Sequence, residues 1–308
     1  MKIYYKFKAN EKECGFRTSA TLGTFDGVHI GHREILKKLV DCAKNTGTDS
    51  AVLTFDRHPI SVINPDFTPM LLTTLDEKIE IFKSLGIDRV FVLHFTKETA
   101  NMNPEQFIRK YMISCLGMRI FFVGYDHGFG KDRSASSDVL KELSLKLDYK
   151  LEIIPPVKKD DIIVKSSIIR NYINEGYIDK AAEFLGREYT ITGEVIHGWG
   201  IGKKIGFPTA NIIPDDKEKL IPKSGVYAGW AEIENRSYKA LITIGSRLTF
   251  DIKEEAIEVH IPDYSLELYG KKIKAGFVKR IRNIEKFSNT EELVRQIEID
   301  IENLMKFT

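Results

Sequence analysis

The chain has 308 residues, is 43% hydrophobic and 29% charged, and carries a net charge of +2. That length predicts two domains, each able to bury its own core. The near-neutral balance supplies no broad basic field, and no run approaches the ~18–20 apolar residues that span a bilayer, so neither nucleic acid nor a membrane is expected as a partner.

Three cysteines, Cys14, Cys42 and Cys115, lie far apart with no C-x-x-C spacing, which predicts a reducing cytoplasm rather than a disulfide framework or zinc site. The opening MKIYYKFKANEKECG alternates charge with aromatics and lacks the apolar stretch of a signal peptide.

The first functional signal is Ser19–Leu36, SATLGTFDGVHIGHREIL. Its start is apolar and β-compatible, Gly23 and Gly27 break it, and Ile35, Leu36, Leu39, Val40 and Ala43 follow at helical spacing. This predicts a strand, a glycine-bearing turn and a helix whose first turn carries His29 and His32, three apart on one face. A helix start presents unpaired N–H groups and the positive end of the macrodipole, and two imidazoles there can donate to the same phosphate oxygens. Glycines at 23, 27 and 31 allow close approach of a ligand. The alternative, half of a zinc site, has no third His or Cys at a recognised spacing.

Ala51–Phe55 predicts a buried strand ended by Pro59, with residues 60–75 as loop. Helical spacing over Asp76–Leu85 stops at Gly86, and Arg89–Phe95 gives the next strand. Pro104 opens a helix holding Phe107, Ile108 and Tyr111, and Arg119–Val123 is again a strand. The alternation predicts a doubly wound α/β domain with a parallel sheet, which binds ligands at the carboxyl ends of its strands. Gly23–His32, Asp56–Pro59 and Gly124–Gly130, with Asp126, fall at such ends. His58 reads equally as a cap, and Asp126 as a turn residue. Ser166 and Ser167 open a helix to about Asn174; they read as an N-cap or, with Arg170 one turn on, as phosphate donors.

Around Glu183–Tyr189 the pattern changes to short strands: Tyr189–Ile196, Gly225–Ile233, Ser237–Ile244, Ala256–Ile261 and Lys272–Ile281. These predict a small antiparallel barrel, closed by a helix with a capping box at Ser288 and Glu291 and an apolar stripe of Leu293, Ile297, Ile301 and Leu304. The domains are expected at 1–184 and 185–308. Within the second, Gly198-Trp-Gly200-Ile-Gly202-Lys203-Lys204 predicts a loop whose N–H groups and lysines face a polyphosphate; neither a Walker A loop nor a dinucleotide fingerprint fits it. Thr209 and Asn211 offer hard oxygen ligands suited to Mg²⁺ on nucleotide phosphates. Glu258 lies within a strand, either as a carboxylate able to take a proton from an alcohol or as an ordinary solvent-facing residue.

Gly23-Thr-Phe-Asp-Gly-Val-His29-Ile-Gly-His32 resembles the His-x-Gly-His signature of the nucleotidyltransferase superfamily, in the branch formed by bacterial bifunctional riboflavin kinase/FMN adenylyltransferases, or FAD synthetases. Asp126 begins a stretch similar to that family's Asp-His-Arg-Phe-Gly, with Gly128 in place of arginine; Ser166-Ser167-Ile168-Ile169-Arg170 resembles its second phosphate motif, with Ile168 in place of threonine. The second half resembles the riboflavin kinase module through Pro208-Thr-Ala-Asn211, Gly225-Val-Tyr-Ala228, Glu258-Val-His-Ile261 and Leu268-Tyr-Gly270, with Lys203 for arginine and Leu248 for proline.

The resemblance implies that the barrel phosphorylates riboflavin with ATP and Mg²⁺, and that the α/β domain adenylylates FMN to FAD. It implies catalytic roles for His29, His32, Arg170 and Glu258. Nucleotide or phosphate contacts are implied for Gly23, Phe25, Asp26, Gly31, Asp126, Ser166, Ser167, Gly200, Gly202 and Lys203, flavin contacts for His58, Pro59 and Arg133, and metal contacts for Thr209 and Asn211. Partners are then small molecules: ATP, riboflavin and FMN. Two other readings stand beside this one: a riboflavin kinase whose first domain has lost adenylylation, motivated by Gly128 and Ile168, and a flavin-binding protein without turnover.

Overall fold

A computed structural model describes residues 1–5, 7, 15–125, 128–130, 134–197, 201–249, 252–262, 264 and 268–307. The chain forms two compact units, Met1–Lys165 and Ser166–Thr308.

The first unit runs β1 (Lys2–Tyr5), β2 (Thr18–Leu22), α1 (Ile30–Thr46), β3 (Asp49–Phe55), α2 (Pro59–Ile63), α3 (Leu75–Ser84), β4 (Arg89–Leu93), α4 (Lys97–Ala100) and α5 (Pro104–Phe107). A π-helical turn (Ile108–Ile113), β5 (Met118–Gly124), α6 (Ser137–Leu147), β6 (Lys150–Ile154) and a two-stranded ribbon of β7 (Lys158–Lys159) and β8 (Ile162–Ile163) complete it. β1 to β6 make one parallel sheet in the order β1-β4-β3-β2-β5-β6. The order reverses between β2 and β5, so the segment after β2 leaves the sheet at its topological switch point.

Successive strand residues serve opposite faces, as the pleat requires. Ala51, Leu53 and Phe55 join one core cluster with Phe91, Phe121 and Met112, whereas Val52 joins the other with Val90, Phe122, Leu36, Leu39 and Phe82. Strands covered on both faces read as continuous apolar runs, which is why AVLTF and RVFVL stand out in sequence. The interval 60–75 is not wholly loop: Pro59, favoured at a first helical position, starts the short α2.

The second unit comprises α7 (Ser166–Glu175), α8 (Ile178–Leu185), β9 (Tyr189–Ile196), α9 (Ile201–Lys204), β10 (Thr209–Pro214), β11 (Gly225–Ile233), β12 (Arg236–Thr249), β13 (Ile252–His260), β14 (Lys272–Arg282) and α10 (Thr290–Phe307). Six antiparallel strands close a barrel in the order β10-β13-β12-β11-β14-β9. α7 and α8, which the expected seam near 184 assigns to the first half, lie in this unit; α8 packs on β9 and β14, with Phe184 and Leu185 buried. Helix α10 lays Leu304 against Val226, Ala228 and Leu241. Its cap is Asn289 rather than Ser288: Asn289 Oδ1 accepts the Glu292 amide at 2.8 Å, and Glu292 in turn accepts the Ser288 amide at 3.0 Å. Among the described residues no helix is long and apolar enough to cross a membrane.

Candidate active sites

In the first unit the sheet delivers Gly23 at the end of β2, where its amide donates to the Leu53 carbonyl at 3.1 Å. The following residues form a tight turn in which Phe25 and Val28 adopt positive φ, 47° and 36°. His29 is then the N-cap of α1 and is buried, its Nδ1 accepting the His32 amide at 3.3 Å. A ring nitrogen used as acceptor leaves Nε2 as the donor, so His29 can present one N–H beside the helix start. The His29 and His32 rings stack with centroids 3.6 Å apart, and Phe25 meets His32 edge-on at 5.2 Å.

Gly31 is explained by this stacking geometry. A Cβ there would stand 3.2 Å from the His29 ring, tighter than side chains tolerate without shifting. Asp26, for which the resemblance implies a nucleotide or phosphate contact, aims its carboxylate at the loop before α3. It accepts from the amides of Leu72 at 2.9 Å and Thr73 at 3.0 Å. His58 caps α2, its Nδ1 accepting the Ile60 amide at 3.2 Å, and Pro59 is the first residue of that helix. Asp126 and Arg133 lie outside the described residues. Ser166, Ser167 and Arg170 fall on the first turn and a half of α7, at the start of the second unit.

In the second unit, β10 pairs with β13 so that Thr209 faces His260 and Asn211 faces Glu258. Alternation puts these four side chains on one face of the sheet. Thr209 Oγ1 lies 3.4 Å from Glu258 Oε2, Asn211 is 6% exposed, and Glu258 is half-buried. His260 Nδ1 sits 2.9 Å from the Pro208 carbonyl, and its ring meets Phe207 at 5.6 Å, fixing the approach to Thr209. A hydroxyl, a side-chain amide and a carboxylate are all oxygen donors, the set that a hard divalent cation requires.

Residues 201–204 form one helical turn rather than the expected open loop, with Lys203 exposed on it. Gly202 is needed there because a Cβ would lie 2.3 Å from the Phe207 carbonyl oxygen and 3.5 Å from Thr209 Oγ1. The turn thus closes directly beside Thr209. Gly200 lies outside the described residues.

Sequence reasoning passed over Thr73 and Lys78, which frame the first site. Thr73 Oγ1 accepts the Gly27 amide at 2.9 Å, and Lys78 Nζ donates to the Thr24 carbonyl at 3.1 Å. One signal was available. Leu75, Lys78, Ile79 and Phe82 make the inward stripe of α3, and a lysine on such a stripe calls for a specific partner. Thr243 stands opposite Glu258 across β12 and β13.

Comparison with known proteins bears on both units. The FAD synthetase family model matches residues 11–168 and the riboflavin kinase model residues 185–308. The bifunctional riboflavin kinase/FMN adenylyltransferase of Bacillus subtilis is 35% identical over 302 residues, covering 96% of this chain and 94% of the relative. The protein of the same name from Buchnera aphidicola (Schizaphis graminum) is 33% identical over 305 residues, covering 97% and 96%. Among solved structures, one described as a macrolide-efflux protein from Streptococcus pneumoniae superposes with a TM-score of 0.91 at 28% identity, covering 100% of both chains.

Proposed function

Since the chain belongs to the bifunctional riboflavin kinase/FMN adenylyltransferase family, we propose a division of its two reactions between the two residue sets just described. The enzyme phosphorylates riboflavin to FMN and adenylylates FMN to FAD. The observation that carries the division is that His29 and His32 lie at the switch point of one unit, whereas Thr209, Asn211 and Glu258 share one barrel face in the other.

In the kinase step the ribityl hydroxyl oxygen attacks the γ-phosphorus of ATP and the bond to ADP breaks. Glu258, 3.4 Å from Thr209, takes the hydroxyl proton. Thr209 and Asn211 would hold a divalent cation, assigned as Mg²⁺, which when bound would offset charge on the phosphates. Lys203, on the turn that closes beside Thr209, adds a further cation toward the polyphosphate.

In the adenylyl step an FMN phosphate oxygen attacks the α-phosphorus of the second ATP, and pyrophosphate leaves. The nucleophile is already an anion, so no base is required. Catalysis is positioning plus electrostatic stabilisation, with His29 Nε2–H and the α1 N-terminus directed at the α-phosphate. Ser166, Ser167 and Arg170 on α7 are assigned phosphate contacts on the strength of their motif, and Gly23 and Asp126 contacts to the nucleotide; His58, Pro59 and Arg133 are assigned to the flavin. Asp26 serves by holding the turn rather than by meeting phosphate, because like charge there is unfavourable.

The test is to incubate the full chain with riboflavin, ATP and Mg²⁺ and to separate the flavins by chromatography over time. FMN rising first and FAD second is the expected order. His29→Ala should stop the course at FMN, and Glu258→Gln should stop it at riboflavin. If His29→Ala also stops riboflavin phosphorylation, or if Glu258→Gln no longer converts supplied FMN to FAD, the division fails.

A further inference from the structure

The turn that presents His29 is held in a conformation its own residues disfavour, and what holds it comes from one distant segment. A positive φ is uncommon for any residue other than glycine and is an outlier for a β-branched one, so Val28 at 36° keeps it only where the surroundings over-determine the backbone. Residues 24 to 28 are each tethered, four of the five by the stretch from Leu72 to Phe82. Lys78 Nζ donates to Thr24 O at 3.1 Å. The Phe25 ring packs edge-on to Phe82 at 5.7 Å. Asp26 accepts the Leu72 and Thr73 amides, and the Gly27 amide donates to Thr73 Oγ1 at 2.9 Å. Val28 N donates to Phe25 O at 3.0 Å, and Val28 O accepts from Arg33 Nε at 3.3 Å.

The Thr73 hydroxyl is central to this clamp, since it accepts from Gly27 while its own amide donates back to Asp26. Lys78 is 8% exposed, and its ammonium is directed onto a backbone carbonyl of the same turn. A buried ammonium is unfavourable unless its partners justify it.

We infer that Thr73 and Lys78 are positioning residues for adenylyl transfer: through the Thr24–Val28 turn they hold His29 where its ring caps α1 and faces the reacting phosphate. The inference rests on the reading of Gly23–His32 as the adenylyl site. It follows that loosening the clamp lets Val28 relax to an ordinary φ. The unit keeps its sheet and core, and the cost falls on the placement of His29.

The experiment measures kcat and KM for FAD formation from FMN and ATP with Mg²⁺ in the full chain, for the unaltered enzyme and for Thr73→Val, Thr73→Ser, Lys78→Met and His29→Ala. Unfolding midpoints are taken on the same preparations. Thr73→Val keeps the shape and removes the hydroxyl, and kcat is expected to fall by about 10–100-fold, as a roughly 1 Å misplacement does, with both KM values within about threefold. Thr73→Ser, which keeps the hydroxyl, should restore most of kcat. Lys78→Met should lower kcat in the same direction, and the double variant should lose less than the product of the two single losses, because both act on one turn.

Unchanged kcat in Thr73→Val overturns the inference. So does a loss in Thr73→Ser equal to that in Thr73→Val, or a loss confined to KM, which would place Thr73 in contact with substrate. If Thr73→Val does not fold, Lys78→Met decides: unchanged kcat, or a loss confined to KM, overturns the inference. His29→Ala separates the two levels: no effect there sinks the reading of the site, whereas loss in His29→Ala with none in Thr73→Val sinks only the clamp.

Discussion

Asn211 stands directly opposite Glu258 in the antiparallel pairing of β10 with β13, and the neighbouring Thr209 hydroxyl lies 3.4 Å from the Glu258 carboxylate. The proposed base and the two proposed cation ligands are thereby fixed on one barrel face by main-chain register, which a side-chain change leaves intact. Glu258→Gln should therefore abolish FMN formation without disturbing the barrel, and supplied FMN should still become FAD. Normal phosphorylation by Glu258→Gln would mean that another group takes the proton.

His29 is oriented by accepting the His32 amide, so its ring is placed before any nucleotide arrives. Removing one preorganised donor to a developing negative charge commonly lowers a rate by about 10²–10³-fold. His29→Ala and His32→Ala are each expected to lower FAD formation by about 10²-fold and to leave riboflavin phosphorylation within about twofold. Assaying both products in one reaction reads both numbers at once.

The metal prediction follows from the same register. Thr209 and Asn211 are held by the β10–β9 and β10–β13 ladders, not by a cation, so chelation should stop FMN formation while leaving the circular dichroism spectrum and unfolding midpoint unchanged. Added Mg²⁺ should restore the rate. Unfolding on chelation would show a structural role instead.

Much of this architecture is readable from the chain because its signals are local. AVLTF and RVFVL are apolar runs buried on both faces, and His29 with His32, or Thr209 with Asn211, lie within a single turn or strand. What escaped depends on distant partners or on edges. β1 is a largely exposed edge strand with no inward stripe, and β10 ends in Pro214, which interrupts a strand pattern. α8 continues the helical pattern of the first half, yet it packs on β9 and β14. Gly27 and Thr73 are 46 residues apart, and Thr24 and Lys78 are 54 apart, so no local pattern joins them.

In the barrel unit, Asp300 is 1% exposed and accepts Arg282 through Nε at 3.0 Å and Nη2 at 2.8 Å, tying α10 to β14. Removing one member of a buried pair strands the other charge. Arg282→Met should destabilise this unit by about 3–5 kcal/mol in denaturant titration of the full chain. Arg282→Met combined with Asp300→Leu should recover most of the loss, because two apolar groups leave no buried charge. Equal instability of the single and double variants would place the contribution in packing rather than charge.

The last prediction concerns acid stability. Asp179, on α8, pairs with Lys279 on β14. Burial raises its pKa, but the hydrogen bond and charge of Lys279, with the backbone amides of Asp179 and Lys180, outweigh that and hold the carboxyl below its usual value of 3.8. A depressed folded pKa contributes stability that is present above the unfolded value and is lost as pH falls through the folded one. Both side chains are more than a third exposed, so the contribution is small, on the order of 0.5 kcal/mol. Asp179→Asn should accordingly lower the denaturation midpoint slightly at neutral pH, and its gap from the unaltered protein should close below about pH 4 as the native carboxyl is protonated. A gap that persists unchanged into acid would mean that geometry at the α8 N-terminus, and not the carboxylate charge, secures the helix against β14.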